Sequence, residues 1–347
     1  MKLSFIIVAL NSEKALDNSL SSLVKQDYPH NEIEVILVDG LSTDGTKHKM
    51  LDFQKNETSF DRVVVKDNPG KYLAGGWNVA LKEVTGKVVL RVDAHTEFPE
   101  DFISKNIKCI LGGESICGGR VLSILEDNSQ MNRVMLEAEN SMFGGGFTFF
   151  RRGEVRKYTN TLAFAAYKKE VFDAVGPYNE RLVRTEDNDI HYRMQQAGYK
   201  FYFNPEIVSY RYCRSTFSKL VRQKYLNGYW VGLTMGVQPK AFSVFYFVPL
   251  LFVLGLLFFG ALSFISVWPL VVYVGVYAFV LILSFIAAIA KSGFYPALLL
   301  LPFILLSLHV GYGVGTIKGL VMIPTWLKQK YHNRDMQDVR CVHTGIF

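Results

Sequence analysis

The chain of 347 residues reads as an α/β domain with a largely parallel sheet, followed by an all-α region of membrane type. Three observations lead there. Strand-like runs near 2–10, 34–39, 62–66 and 87–93 alternate with helix-period stretches near 12–26, 43–55, 72–84 and 99–111, the order expected of βαβ units. From about Phe242 to Ile323 only two charged side chains occur, Lys291 and Lys318, whereas residues 1–240 mix apolar strands with charged helices. Three of the strand-like runs also lead directly into polar clusters, and ligands of open α/β sheets gather outside the carboxyl ends of the strands.

The first strand, Lys2–Leu10, runs into Asn11-Ser12-Glu13. The second, Glu34–Val38, runs into Asp39-Gly40-Leu41-Ser42-Thr43-Asp44-Gly45-Thr46, and the fourth, Lys87–Leu90, into Arg91-Val92-Asp93-Ala94-His95. Gly86 reads as the end of the third helix and Pro99 as the start of the fourth, positions these residues favour. Beyond residue 115 the pattern loosens: Gly118-Gly119, a helix-like stretch at Met131–Met142, and Gly144-Gly145-Gly146 ahead of Phe147–Arg152. The glycine triplet reads either as a mobile loop or as a tight turn before an edge strand. Order returns at Thr161–Tyr167.

Phe242–Phe264, Val267–Ala290 and Pro296–Val321 each reach the length of about 20 apolar residues that a spanning helix needs. Buried helices of a soluble protein do not fit, because no polar face is left to meet water. The apolar run Phe5–Leu10 is too short for a signal-peptide core, so the first domain is expected to stay cytoplasmic. Cys109, Cys117, Cys213 and Cys341 lack metal or disulfide spacing and suit a reducing compartment without structural zinc. The net charge of +7 is most legible at the membrane border. There Lys219, Arg222 and Lys224 precede the spans and Lys328, Lys330 and Arg334 follow them, placed for anionic headgroups. No basic stripe with interleaved aromatics speaks for nucleic acid. Three spans from a cytoplasmic domain would put the basic tail outside, against the positive-inside bias. Either the last segment does not fully cross or a span is miscounted, and Gly311, Gly313, Gly315 and Gly319 there permit a bend or close helix packing.

Asp93-Ala94-His95 at a strand end reads as a place for a metal, or alone as a strand-end turn. Taken in order, Ala9-Leu10-Asn11, Val38-Asp39-Gly40 with Ser42–Thr46, and Asp93-Ala94-His95 in the place of an Asp-x-Asp motif resemble family 2 glycosyltransferases of GT-A fold. The resemblance covers residues 1 to about 215. With Asn68-Pro69 and Gly76-Trp77-Asn78 it is most similar to the subgroup that builds exopolysaccharides such as succinoglycan. It implies a GT-A (Rossmann-like mixed sheet) catalytic domain at 1–238 with an interfacial segment at about 215–238. About three transmembrane helices follow at 239–323, and then a basic tail at 324–347.

Neutralising a departing nucleotide diphosphate calls for preplaced cations. Asp93 is the expected first ligand of Mg²⁺ or Mn²⁺, and His95 is a second ligand or orients one. Nucleotide recognition is expected from Ala9, Asn11, Glu13, Asp39 and Asp93, with Asp39 accepting from a uracil N–H or a ribose hydroxyl. Lys71, ahead of a helix start, and Asn78 on that helix complete the set. Trp77 stands where relatives often carry Arg. Arg151, Arg152, Arg156 and Lys157 read as diphosphate contacts or as a solvated face.

Thr185-Glu186-Asp187-Asn188-Asp189, ahead of the helix-like His191–Gly198, matches the family's Glu-Asp motif. Asp187 is then the catalytic base, with Glu186 beside it, or else these residues cap the helix. Gln223–Trp230 departs from the Gln-x-x-Arg-Trp of processive synthases. The expected function is therefore a multi-pass, membrane-anchored, inverting glycosyltransferase with its catalytic domain on the cytoplasmic face of the plasma membrane. It would move a sugar from a UDP-sugar to a polyprenyl-diphosphate-linked oligosaccharide. Alternatives are a polyprenyl-phosphate sugar synthase and a transporter component with a regulatory nucleotide-binding domain.

Overall fold

The computed structural model describes residues 1–141, 144, 149–214 and 216–329. Met142, Gly145–Thr148, Cys341 and the basic tail from Lys330, with Arg334, lie outside them. Two compact units emerge among the described residues, one built from 1–122 and 149–212, the other from 123–141, 144, 213–214 and 216–329.

In the first unit, β1 (Leu3–Ala9), β2 (Ile33–Asp39), β3 (Arg62–Asp67) and β4 (Val88–Asp93) form a parallel block in the order β3-β2-β1-β4. Every residue of β1 and β2 is buried, because helices cover both faces of the block and polar alternation has no use there. Leu3, Phe5 and Ile7 meet α1 (Glu13–Val24) and α4 (Phe102–Leu111) through Leu16, Leu23, Phe102 and Ile107. Ile6 and Val8 face the other way, onto Ala74, Trp77 and Ala80 of α3 (Leu73–Glu83). The helix α2 (Thr46–Asn56) completes the βα units.

The sheet continues as a mixed one through β5 (Thr96–Glu97), β6 (Ile116–Ile124), β7 (Lys157–Thr159), β8 (Ala166–Lys168) and β9 (Phe201–Tyr212). The order is β3-β2-β1-β4-β8-β6-β9-β5, with β7 also on β9, and β8 runs antiparallel to β4. Two short helices, α6 (Lys169–Val175) and α7 (Glu186–Gln196), follow β8.

Two punctuation signals act differently from expectation. α3 ends at Glu83, and Gly86 instead turns into β4, its N–H donating to Ser4 Oγ at 2.9 Å. A Cβ there would sit 2.7 Å from the Ser4 backbone nitrogen, so glycine is needed for close approach, not for a cap. Pro99 lies ahead of α4, which starts at Phe102, and its carbonyl accepts from Gln26 Nε2 at 2.8 Å.

The second unit holds α5 (Gln130–Asn140), α8 (Phe217–Thr234), α9 (Val248–Leu262), α10 (Trp268–Ser292) and α11 (Leu301–Lys328). Among the described residues three segments are long and apolar enough to cross a membrane: Val244–Leu262, Trp268–Ser292 and Pro296–Lys328. α5 lays Val134, Met135 and Ala138 onto Leu298, Leu301 and Leu305. Its polar side reaches Ser292, whose Oγ donates to Glu137 Oε1 at 2.6 Å, and Arg133 stacks over Tyr295 at 4.4 Å. The residues 213–238 that the sequence assigns to the catalytic domain group here instead, because α8 packs along α11. Gly311, Gly315 and Gly319 serve the close-packing alternative: a Cβ on Gly315 or Gly319 would lie 2.1 Å from the carbonyl oxygen of Tyr225 or Tyr229.

Candidate active site

The parallel register places the expected site residues in one row. Ala9 pairs with Asp39, and Val8 with Asp93, so the carboxyl ends of β2, β1 and β4 lie side by side at the ~4.8 Å spacing of neighbouring strands. Asp39 is fully buried, and its two carboxylate oxygens accept the Ser42 N–H at 3.3 and 3.1 Å. Asn11 and Leu41 both take left-handed backbone (φ +49° and +60°), which turns the two loops toward each other.

Those loops are tied together by their own polar groups. The Asn11 N–H donates to Ser42 Oγ at 2.9 Å and Asn11 Oδ1 accepts from the Thr43 N–H at 2.8 Å. Glu13 Oε2 accepts the Gly45 N–H at 3.2 Å. Asn11 and Glu13 thus tie the loop after β1 to the loop after β2. Lys71, exposed and also left-handed (φ +63°), stands just before α3. Asn78 faces elsewhere: its amide donates to the Tyr178 carbonyl (3.0 Å) and Glu180 Oε1 (2.8 Å) and accepts the Tyr178 N–H (2.8 Å). It therefore holds the 178–180 loop.

Along β4, Leu90 and Val92 join one core, while Arg91 turns to the opposite face, on the side of α3. There it lies over Trp77 (5.0 Å), Tyr178 (5.5 Å) and Tyr167 (6.0 Å) and donates from Nη2 to Asp187 Oδ1 at 2.6 Å. Trp77, in the place of the family's Arg, supplies the aromatic floor of this cation. Sequence reasoning passed over Arg91, because a cation inside a strand run gives no signal of its partner.

The acidic motif does not precede α7 but forms its first turn, where Glu186, Asp187 and Asp189 complement the helix dipole. Thr185 is the N-cap residue and makes no side-chain cap, and Asp187 reaches across to Arg91. The side chains of the pair are 5% and 38% exposed, so the cation is buried and the carboxylate opens to solvent. Glu186 contrasts with it: its Oε2 is buried without a partner, and burial, then the Asp187 charge, push its carboxyl well above the usual range. Desolvation also raises Asp93, against the opposing pull of His95 and Arg91. Arg211, opposite Thr96 in the β5–β9 pair, adds a further cation that acts on Asp93. Arg156 pairs with Glu206 at 2.5 Å on an exposed face, in keeping with a solvated charge run.

Among the described residues no group of three or more His, Cys, Asp or Glu side chains could by itself hold a metal. Asp93 and His95 nevertheless fit a divalent ion that takes one or two protein ligands and completes its shell with diphosphate oxygens and water, as Mg²⁺ commonly does.

A sequence model described as Glycosyl transferase family 2 matches residues 4–176, and another, Glycosyl transferase family group 2, matches residues 127–304. The chain belongs to glycosyltransferase family 2. The enzyme is similar over 92% of its length to a Methanococcus voltae protein, at 25% identity and 97% of that protein. That relative is named dolichyl N-acetyl-alpha-D-glucosaminyl phosphate 3-beta-D-2,3-diacetamido-2,3-dideoxy-beta-D-glucuronosyltransferase. Similarity to the succinoglycan biosynthesis protein ExoA of Rhizobium meliloti is 28% identity over 79% of this chain and 81% of that one. In structure the enzyme resembles the mannosyltransferase PcManGT of Pyrobaculum calidifontis, solved with GDP-Man and Mn²⁺. The TM-score is 0.57 at 17% identity over 94% and 88% of the two chains, which shows a common fold.

Proposed function

We propose that the enzyme transfers a sugar, with inversion, from a UDP-sugar to a polyprenyl-diphosphate-linked oligosaccharide in exopolysaccharide or capsule synthesis. The observation that carries this reading is the solvent-open Asp187 carboxylate held by buried Arg91, on a strand whose end bears Asp93. An acceptor hydroxyl attacks the anomeric carbon from the face opposite the diphosphate, and Asp187 takes its proton. The bond from C1 to the diphosphate oxygen breaks, and UDP leaves with the electron pair.

Asp39, with Ala9, Asn11 and Glu13, holds the uridine, and Lys71 lies where a phosphate meets the start of α3. Asp93 and His95 hold Mg²⁺ or Mn²⁺, which when bound offsets the charge growing on the diphosphate. Three apolar segments support membrane anchoring, with the catalytic unit on the cytoplasmic face. Similarity to a protein named for a dolichyl-linked saccharide supports a lipid-linked acceptor.

The test is UDP release from a panel of nucleotide sugars, with and without a lipid-linked acceptor. Acceptor-dependent UDP release with one donor supports the reading. Transfer to a polyprenyl monophosphate alone would replace it with a polyprenyl-phosphate sugar synthase.

A further inference from the structure

We infer that α9 and α10 alone cross the bilayer, and that α8 and α11 lie together at the membrane surface on the side of the catalytic unit. The inference rests on the membrane-anchored reading above and goes beyond it, since by composition α11 is a third span.

Direction decides the matter. α8 and α11 run the same way: Gly311 lies against Val221, Gly315 against Tyr225 and Tyr229, Gly319 against Tyr229 and Gly232, and Gly236 against Ile323. α9 and α10 form an antiparallel hairpin through Ser263–Val267, with Phe259 beside Tyr273 and Phe252 beside Tyr277. Consecutive crossings alternate in direction. If α8, α9, α10 and α11 all crossed, α8 and α11 would run in opposite directions, and they do not.

What remains is that only one of the two, α8 or α11, crosses. The packing opposes it, because α8 accompanies α11 from Phe217 beside Phe303 to Trp230 beside Trp326, so the two share one depth. α8 carries Lys219, Arg222 and Lys224, with Gln223 and Asn227. Polar-faced α5 covers the first turns of α11 at Leu301, Ile304 and Leu305. Charged helices laid along both stretches do not belong at bilayer depth. They suit an interfacial pair, with the apolar side chains Phe303, Val314 and Val321 of α11 exposed toward lipid and Trp230 buried edge-on against Trp326.

Two crossings also settle the charge. The hairpin tip Ser263–Val267 has no Lys or Arg, while Lys219, Arg222, Lys224, Lys291 and Lys328 all fall on the catalytic side, as the positive-inside bias demands.

Single cysteines at Ser266, Thr325 and Lys55, in a full-length chain with the four native cysteines replaced by alanine, test this with a membrane-impermeant maleimide. Ser266→Cys is expected to react in intact cells, and Thr325→Cys and Lys55→Cys only after permeabilisation. Reaction of Thr325→Cys from outside to the extent of Ser266→Cys overturns the inference, as does protection of Ser266→Cys. Phosphatase or fluorescent-protein fusions after Phe347 of the native-cysteine chain give the same answer if the replacements unfold it: a fluorescent, phosphatase-inactive fusion is expected, and an active phosphatase overturns it. Release of the chain from membranes by alkaline carbonate would instead defeat the anchoring itself.

Discussion

Arg91 Nη2 lies 2.6 Å from Asp187 Oδ1, joining a buried strand to the first turn of α7 across 96 residues of sequence. Three aromatic rings around the guanidinium exclude water from its other faces. The ion pair aims the carboxylate, whose side chain is 38% exposed, and leaves its second oxygen open to an acceptor.

Replacing Asp187 by Asn is expected to lower transfer by about 10²–10⁴-fold, the usual worth of a positioned base, with UDP-sugar affinity unchanged. Arg91→Lys should retain more activity than Arg91→Met, because only the first keeps a cation beside the carboxylate. Calorimetric donor binding set beside single-turnover transfer checks both, and a matching loss of donor affinity would reduce Asp187 to a structural role.

Asp93→Asn removes a charge at the strand end but little volume. Metal-stimulated transfer should vanish while circular dichroism stays native, and wild-type turnover would end the metal assignment. His95→Asp should retain activity and reduce any advantage of Mn²⁺ over Mg²⁺; an unchanged ratio removes His95 as a ligand.

Glu34, fully buried, accepts hydrogen bonds from the Thr85 N–H (2.6 Å), Thr85 Oγ1 (2.7 Å), Arg62 Nε (2.8 Å) and Ser4 Oγ. Burial pushes its carboxyl up, but these donors prevail and hold it at about 2. A carboxyl depressed on folding stabilises the fold fully above its unfolded value, near 4.5, and that contribution is lost as the pH falls toward 2. The contribution is about 3 kcal/mol. Denaturant melts of wild type and Glu34→Gln should therefore differ most above pH 5 and converge near pH 2, and a constant gap would refute the linkage.

Gly319→Ala should lower the thermal midpoint in detergent, since the new Cβ would meet the Tyr229 carbonyl at 2.1 Å, an overpacking that costs about 1–3 kcal/mol. Gly275→Ala on α10, with nothing within 4 Å, is the neutral control. Equal midpoints would mean that the α8–α11 seam gives way freely.

What the sequence determined by itself was local. Four apolar runs of strand length specified four parallel strands, three of them delivering Asn11, Asp39 and Asp93 at their carboxyl ends, because strand period and turn chemistry are written over a few residues. The long apolar helices were legible for the same reason, since length and the scarcity of charge need no partner. Tertiary structure decided what depended on distant contacts. It paired Arg91 with Asp187, turned Asn78 onto the 178–180 loop, placed Gly86 against Ser4, and laid α8 beside α11 in the same direction. A side chain's type announces what it can bond, but which group comes within 3 Å is set by how strands and helices meet, and no short stretch of sequence records that.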